Sequence, residues 1–173
     1  LIDGRLRPCL AQMQRVYQEY GTSVIATQRV PMDEISSYGV VDTQPVGPGL
    51  GEIRRIVEKP KPEDAPSNLA VVGRYILTPR IFKLLERTPR GAGGEIQLTD
   101  AISMMIQEQT VLAYEFEGTR YDCGSKLGYL KANVEYALKH PELADEFREY
   151  LTQYTADWHT GGNLDAAAKL ANK

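Results

Sequence analysis

Ser23-Val24-Ile25-Ala26-Thr27-Gln28-Arg29-Val30 decides the architecture. Its β-branched side chains suit a pleated, packed surface, so the run reads as a buried strand that Pro31 ends. Upstream, residues 6–20 place Leu6, Cys9, Leu10, Met13, Val16, Tyr17 and Tyr20 at helical spacing, and Gly21 suits a helix C-cap. Helix followed by buried strand sets a mixed pattern, and the rest of the chain continues it.

Residues 33–37 make about one helical turn, and Tyr38 to Asp42 reads as a short strand. Pro45 to Gly51 is a turn by composition. Strands are expected at 53–58 and 69–77, separated by loop over 61–68. Thr78-Pro79 has the form of an N-cap followed by proline in the first turn, opening a helix to about Glu86. Residues 88–94 read as loop and 95–107 as helix, with Leu98, Ala101, Ile102, Met105 and Ile106 on one face. Strands at 111–116 and 120–123 flank a turn at Gly118. Helices follow at 125–139 and 142–154, broken at His140-Pro141, and a short helix is expected from Asn163. This is a layered α/β domain with a C-terminal helical extension.

The chain has 173 residues, the size of one domain. Apolar residues are 42% and charged residues 25%, enough for a core. With 20 Lys and Arg against 23 Asp and Glu the net charge is −3, which argues against a nucleic-acid binder. No apolar run is long enough for a transmembrane helix. Two cysteines, Cys9 and Cys123, cannot form a disulfide framework, and a cytoplasmic setting is the simplest. His140 and His159 read as solvated residues near helix ends.

Four segments offer chemistry. Glu58-Lys59-Pro60 places a carboxylate and an ammonium where proline stops a strand and holds Lys59 extended. A carboxylate accepts hydrogen bonds from sugar hydroxyls, and a lysine binds phosphate as a point charge. Adjacent strand residues face opposite sides, so both serve one site only if the chain bends there. Taken alone, two solvated charges is the favoured reading. Tyr121-Asp122-Cys123-Gly124-Ser125 puts an aspartate between a strand and a helix, where it either holds Mg²⁺ by one oxygen or helps cap the helix. Gly93-Gly94-Glu95 leads into a helix carrying Asp100, with acidic residues suited to its N-terminus. Gly39, within Tyr38-Gly39-Val40, either admits a ligand close to backbone or marks a bulge.

Together, YGVV at 38–41, IVEKP at 56–60, APSNLAVVGRYIL at 65–77, GAGGEIQLTDAI at 91–102 and YDCGSKLGYLKANVEYALKH at 121–140 stand in a familiar order. From Leu1 to about Leu151 the chain resembles the C-terminal part of the bacterial UTP–glucose-1-phosphate uridylyltransferases, the UDP-glucose pyrophosphorylases. EKP and YGV are shared with sugar nucleotidyltransferases generally, whereas GEIQLTDAI and DCGSKLGY are more specific to this branch.

The resemblance implies a partial Rossmann-like α/β sugar nucleotidyltransferase fold and Mg²⁺-dependent formation of UDP-glucose and pyrophosphate from UTP and α-D-glucose 1-phosphate. A sugar-phosphate oxygen would attack the α-phosphorus in line, which requires mainly positioning and charge stabilisation. By resemblance, Gly39 and Val72 meet the sugar through backbone, Glu58 takes glucose hydroxyls, Lys59 neutralises the sugar phosphate and Asp122 ligates Mg²⁺. GEIQLTD would line the sugar side. On this reading residues 1–124 are the sugar-phosphate-binding part, 125–154 are helices suited to contacts in a dimeric or tetrameric homo-oligomer, and 155–173 are a tail of no assigned role.

The family's glycine-rich nucleotide loop and first metal aspartate are expected before Leu1, so the isolated chain is expected to be inactive. Two other readings are a non-catalytic sugar-phosphate-binding or assembly module, and a sister nucleotidyltransferase using another nucleotide or sugar.

Overall fold

The computed structural model of the chain describes residues 1–4, 6–91 and 94–159. The elements run β1 (Ile2–Asp3), α1 (Cys9–Tyr20), β2 (Ser23–Arg29), β3 (Gly39–Gly47), β4 (Leu50–Glu58), β5 (Leu69–Ile76), α2 (Arg80–Leu85), α3 (Leu98–Glu108), β6 (Val111–Glu115), β7 (Thr119–Arg120), α4 (Lys126–Ala137) and α5 (Ala144–His159). Short 3-10 turns occupy Met32–Ser37 and Pro62–Asp64. Contacts divide the chain into Ile2–Thr119 and a second unit from Arg120 onward that includes Leu1.

In the first unit, β2 is covered on both faces. Val24 and Ala26 pack with Cys9 and Met13 of α1, while Ile25 joins Ile81 and Leu84 of α2 and Ala101, Ile102 and Met105 of α3. Burying such aliphatic side chains contributes roughly 1.5–3 kcal/mol each, and sharing them between two layers explains the continuous apolar run. Strands close into a ring in the order β2-β5-β3-β4-β6. β2 runs parallel to β6 and antiparallel to β5, and the β3–β4 and β4–β6 pairs are antiparallel. Sheet and helices form a mixed α/β fold, as expected.

Several boundaries differ from expectation for local reasons. Helix α1 begins at Cys9 because Pro8 has an extended backbone (ψ 143°), which leaves Leu6 96% exposed. The Pro45–Gly51 segment is mostly strand, with its tip at Pro48-Gly49. β3 meets β5 only at Val40↔Ala70, so farther along it is an edge where the missing N–H of Pro45 breaks no ladder on that side. Helix α3 starts at Leu98 because the Glu95 carbonyl already accepts the Gly91 N–H at 2.9 Å. Thr78 does not cap α2: its hydroxyl accepts a hydrogen bond from Gln109 Nε2 at 2.8 Å.

In the second unit, β7 ends at Arg120, so residues 121–123 are loop rather than strand. Ser125 caps α4 by accepting the Gly128 N–H at 3.0 Å, worth about 1 kcal/mol. His140 Nδ1 accepts the Glu142 N–H where the chain breaks between the helices. Helix α5 continues past Tyr154 to His159. The helix expected from Asn163 lies outside the described residues.

Candidate active site

Gly39 and Glu58 are direct partners across the β3–β4 ladder. The ladder extends one step further, the Lys59 N–H donating to the Tyr38 carbonyl at 2.9 Å. There the chain turns: Lys59 has φ +44°, a left-handed backbone. This corrects the extended conformation expected before Pro60. For a non-glycine residue such a conformation costs of order 1–3 kcal/mol, and the bond to the Tyr38 carbonyl holds it against the extended preference of a residue before proline. The bend meets the geometric condition for joint use, because Lys59 Nζ stands 3.8 Å from Glu58 Oε1.

Glu58 is anchored from a second element. Thr99 Oγ1, in the first turn of α3, donates to Glu58 Oε2 at 2.6 Å. The carboxylate thus lies at the N-terminal end of an 11-residue helix, where the macrodipole favours negative charge. Tyr75 on β5 faces the same charge: burial first, and the Glu58 carboxylate second, push its phenol above its ordinary value. A Cβ at Gly39 would sit 3.2 Å from Glu58 Oε2 and 3.7 Å from Thr99 Oγ1. Glycine therefore keeps backbone open beside a fixed carboxylate and a largely exposed ammonium, a combination suited to a polyhydroxylated anion.

Val72 lies on β5, two residues beyond Ala70, the residue that pairs with Val40 of β3. Between Ile25↔Tyr75 and Thr27↔Val71, Ala26 of β2 stands opposite three residues of β5, Val72 to Arg74, with Gly73 at φ +70°. The bulge takes Val72's backbone out of the regular ladder, while its side chain packs with Cys9, Met13 and Val24. The structure brings Gly39, Glu58 and Lys59 together, and Val72 offers backbone only. An open groove of ≈ 400 Å³ beside α1, lined by residues such as Arg7, Gln12, Arg15 and Tyr114, includes none of these residues. The site is defined here by its chemistry rather than by concavity.

In the sequence Thr99 carries no signal beyond its place in the GEIQLTD stretch expected on the sugar side.

In the second unit, Asp122 is exposed. Its Oδ1 accepts the Gly124 N–H at 3.0 Å, and its carbonyl accepts the Ser125 N–H and hydroxyl. Capping of α4 falls to Ser125, so the Asp122 side chain is not consumed as the cap. A Cβ on Gly128 would lie 2.0 Å from the Asp122 carbonyl oxygen, so glycine there lets the loop lie against α4. Asp122 Oδ2 has no hydrogen bond among the described residues. An exposed carboxylate steered through one oxygen fits one position of a Mg²⁺ shell otherwise filled by water and phosphate. Among the described residues no three His, Cys, Asp or Glu side chains gather as a metal cluster, and no helix is long and apolar enough to cross a membrane.

Residues 3–139 match the Nucleotidyl transferase family. The chain is 49% identical over 154 residues to a UTP--glucose-1-phosphate uridylyltransferase of Streptococcus pneumoniae, covering 88% of this chain and 52% of that protein. A Staphylococcus epidermidis protein of the same name is 51% identical over 146 residues, covering 84% and 51%. A crystal structure of UDP-glucose pyrophosphorylase complexed with UDP-glucose superposes with TM-score 0.77 at 46% identity, covering 81% of this chain and 53% of that one. UTP-bound UGPase from Acinetobacter baumannii gives TM-score 0.77 at 43% identity, covering 88% and 53%. The chain spans about half the length of the curated relatives it matches. The sheet, its flanking helices and the family match over residues 3–139 agree, and the chain belongs to the nucleotidyl transferase family.

Proposed function

We propose that this chain forms the sugar-phosphate side of a UTP–glucose-1-phosphate uridylyltransferase, which makes UDP-glucose and pyrophosphate. The observation that carries the reading is the bent end of β4, where Glu58 and Lys59 lie side by side next to Gly39. Relatives near 50% identity bear the enzyme's name, and one structural neighbour is described as complexed with UDP-glucose.

Glu58 orients glucose by accepting hydrogen bonds from its hydroxyls. Gly39, and the Val72 backbone at its bulge, give the ring close approach. Lys59 places its ammonium on the sugar phosphate, so that the attacking oxygen is held and its charge balanced. Asp122 would hold Mg²⁺, whose contribution is to neutralise phosphate charge. Such positioning and charge balance are the main requirements of phosphoryl transfer.

The exposed apolar residues of α4, among them Leu127, Leu130 and Val134, suit contact with another copy in a homo-oligomer. The net charge of −3 does not suit a nucleic-acid partner, and the exposed free thiol of Cys123 suits the reducing cytoplasm.

The test is pyrophosphate release from UTP, glucose 1-phosphate and Mg²⁺ by a full-length protein carrying this sequence. Lys59→Ala should lower turnover by about 10²–10³. Near-normal kinetics for that variant would remove Lys59 from the site.

A further inference from the structure

We infer that Thr99 is the positioning residue of the sugar site: its hydroxyl fixes the Glu58 carboxylate so that one oxygen is held and the other is presented to the sugar. The inference rests on the reading of Glu58 as the sugar-hydroxyl acceptor and assigns the atom that does the work.

Thr99 Oγ1 donates to Oε2 at 2.6 Å, and Oε1 is the oxygen nearer Lys59 Nζ, at 3.8 Å. A glutamate side chain has three rotatable bonds, and a free carboxylate at a strand end would sample several positions. Here one oxygen is tied to a different element, 41 residues away in sequence. The tie comes from a helix already fixed by Ala101, Ile102 and Met105 in the core, so it is rigid. It also leaves Oε1 on the Lys59 side, where a sugar carrying a phosphate would place a hydroxyl and its anion together.

The hydroxyl has alternatives that it does not take. Helix α3 has no side-chain cap, its N-cap residue being Gln97 in an extended conformation, and a threonine in the first turn commonly bonds to backbone. Thr99 instead bonds to Glu58. Gly39 completes the arrangement, since a side chain there would press on the same oxygen from the opposite strand. Three segments, β3, β4 and α3, thus converge on one carboxylate oxygen, leaving the other for ligand.

The test is titration calorimetry of a full-length protein carrying this sequence with α-D-glucose 1-phosphate and, separately, inorganic phosphate. Thr99→Val keeps the shape and removes the donor. It should weaken glucose 1-phosphate by about 10-fold, the scale of a hydrogen bond to a charged group, and change phosphate by less than about 2-fold. Thr99→Ser restores the hydroxyl and should return sugar-phosphate affinity to within about 3-fold of the parent chain, the range left for the lost methyl contact. Glu58→Gln serves as the reference for the underlying reading. If Glu58→Gln loses glucose 1-phosphate while Thr99→Val binds it normally, the positioning role is overturned and the sugar reading stands. If Thr99→Val loses both ligands, or Thr99→Ser fails to recover, the hydroxyl acts through the fold and the inference is overturned. If Glu58→Gln binds like the parent chain, or the parent chain binds no sugar phosphate, the reading of Glu58 falls and the inference with it.

Discussion

Gly39 stands opposite Glu58 in the β3–β4 ladder, and the missing side chain leaves the Glu58 carboxylate its place. A Cβ at residue 39 would lie 3.2 Å from Oε2, closer than ordinary contact, against an oxygen already held by Thr99.

Gly39→Ala should therefore push Glu58 off its favoured rotamer while leaving the strand pairing intact. A cost of about 0.5–1.5 kcal/mol for such a displacement corresponds to roughly 3–10-fold weaker glucose 1-phosphate binding. Calorimetry checks the affinity, and an unchanged circular dichroism spectrum with a cooperative melt checks the fold. Undiminished affinity would mean that the carboxylate moves freely.

Lys59 combines a functional charge with a left-handed backbone. Lys59→Gly should raise stability by about 1 kcal/mol net, the released strain exceeding glycine's larger loss of entropy, while removing phosphate binding. Lys59→Ala should lose binding with no gain in stability. Urea denaturation of both variants separates the two effects, and equal stabilities would count against stored strain.

Gly128 and Gly47 form a contrasting pair. A Cβ on Gly128 would meet the Asp122 carbonyl oxygen at 2.0 Å, whereas one on Gly47 meets nothing within 4 Å. Gly128→Ala should destabilise the second unit by about 1–3 kcal/mol or more and shift the Asp122 loop. Gly47→Ala should be neutral or stabilising by up to about 0.5–1 kcal/mol. Thermal melts, with amide chemical shifts of residues 121–125, read both.

The two thiols should separate cleanly. Cys123 is exposed, whereas Cys9 is buried, and burial pushes its thiol above the ordinary value against the opposing pull of Arg74. Ellman's reagent should find one fast thiol, removed by Cys123→Ser, with Cys9 slower by at least about 10³-fold because it must await opening of the fold. Two fast thiols would show that α1 does not cover β2 in solution.

Tyr75 predicts an alkaline effect. Its phenol is held above the ordinary value of 10.0 by burial and then by Glu58. Because the folded state favours the neutral phenol, its contribution is fully present below the unfolded value and is lost as pH rises through the folded value. Tyr75→Phe should flatten part of the stability decline above about pH 10, measured by urea midpoints across pH. An identical decline would place the titrating group elsewhere, with Tyr114 the next to examine.

The buried strand Ser23–Arg29 was legible because covering both faces of a strand leaves an unbroken apolar run in the sequence. The β3–β4 tip was not, since Pro45, Gly47 and Gly51 have turn composition whether or not a neighbouring strand makes their missing groups costly. Glu58 and Lys59 stood out beside Pro60. The hand of Lys59 did not, because local sterics before proline favour the extended chain and only the Tyr38 carbonyl bond and the bend override them. Thr99 was invisible as a partner of Glu58, because a hydrogen bond spanning 41 residues leaves no periodicity to read.

The same span sets an order of assembly. Gly39 and Glu58 meet through a hairpin whose tip is two residues, while the Thr99 contact must close a much longer loop through β5 and α2. Loop-closure entropy rises with length, so the hairpin aligns carboxylate and ammonium before α3 arrives to brace them. A ligand that prefers the braced carboxylate then acts as a fastener between an early-forming and a late-forming part of the domain. Glucose 1-phosphate should slow hydrogen exchange at the start of α3, on the opposite side of the carboxylate from the sugar itself.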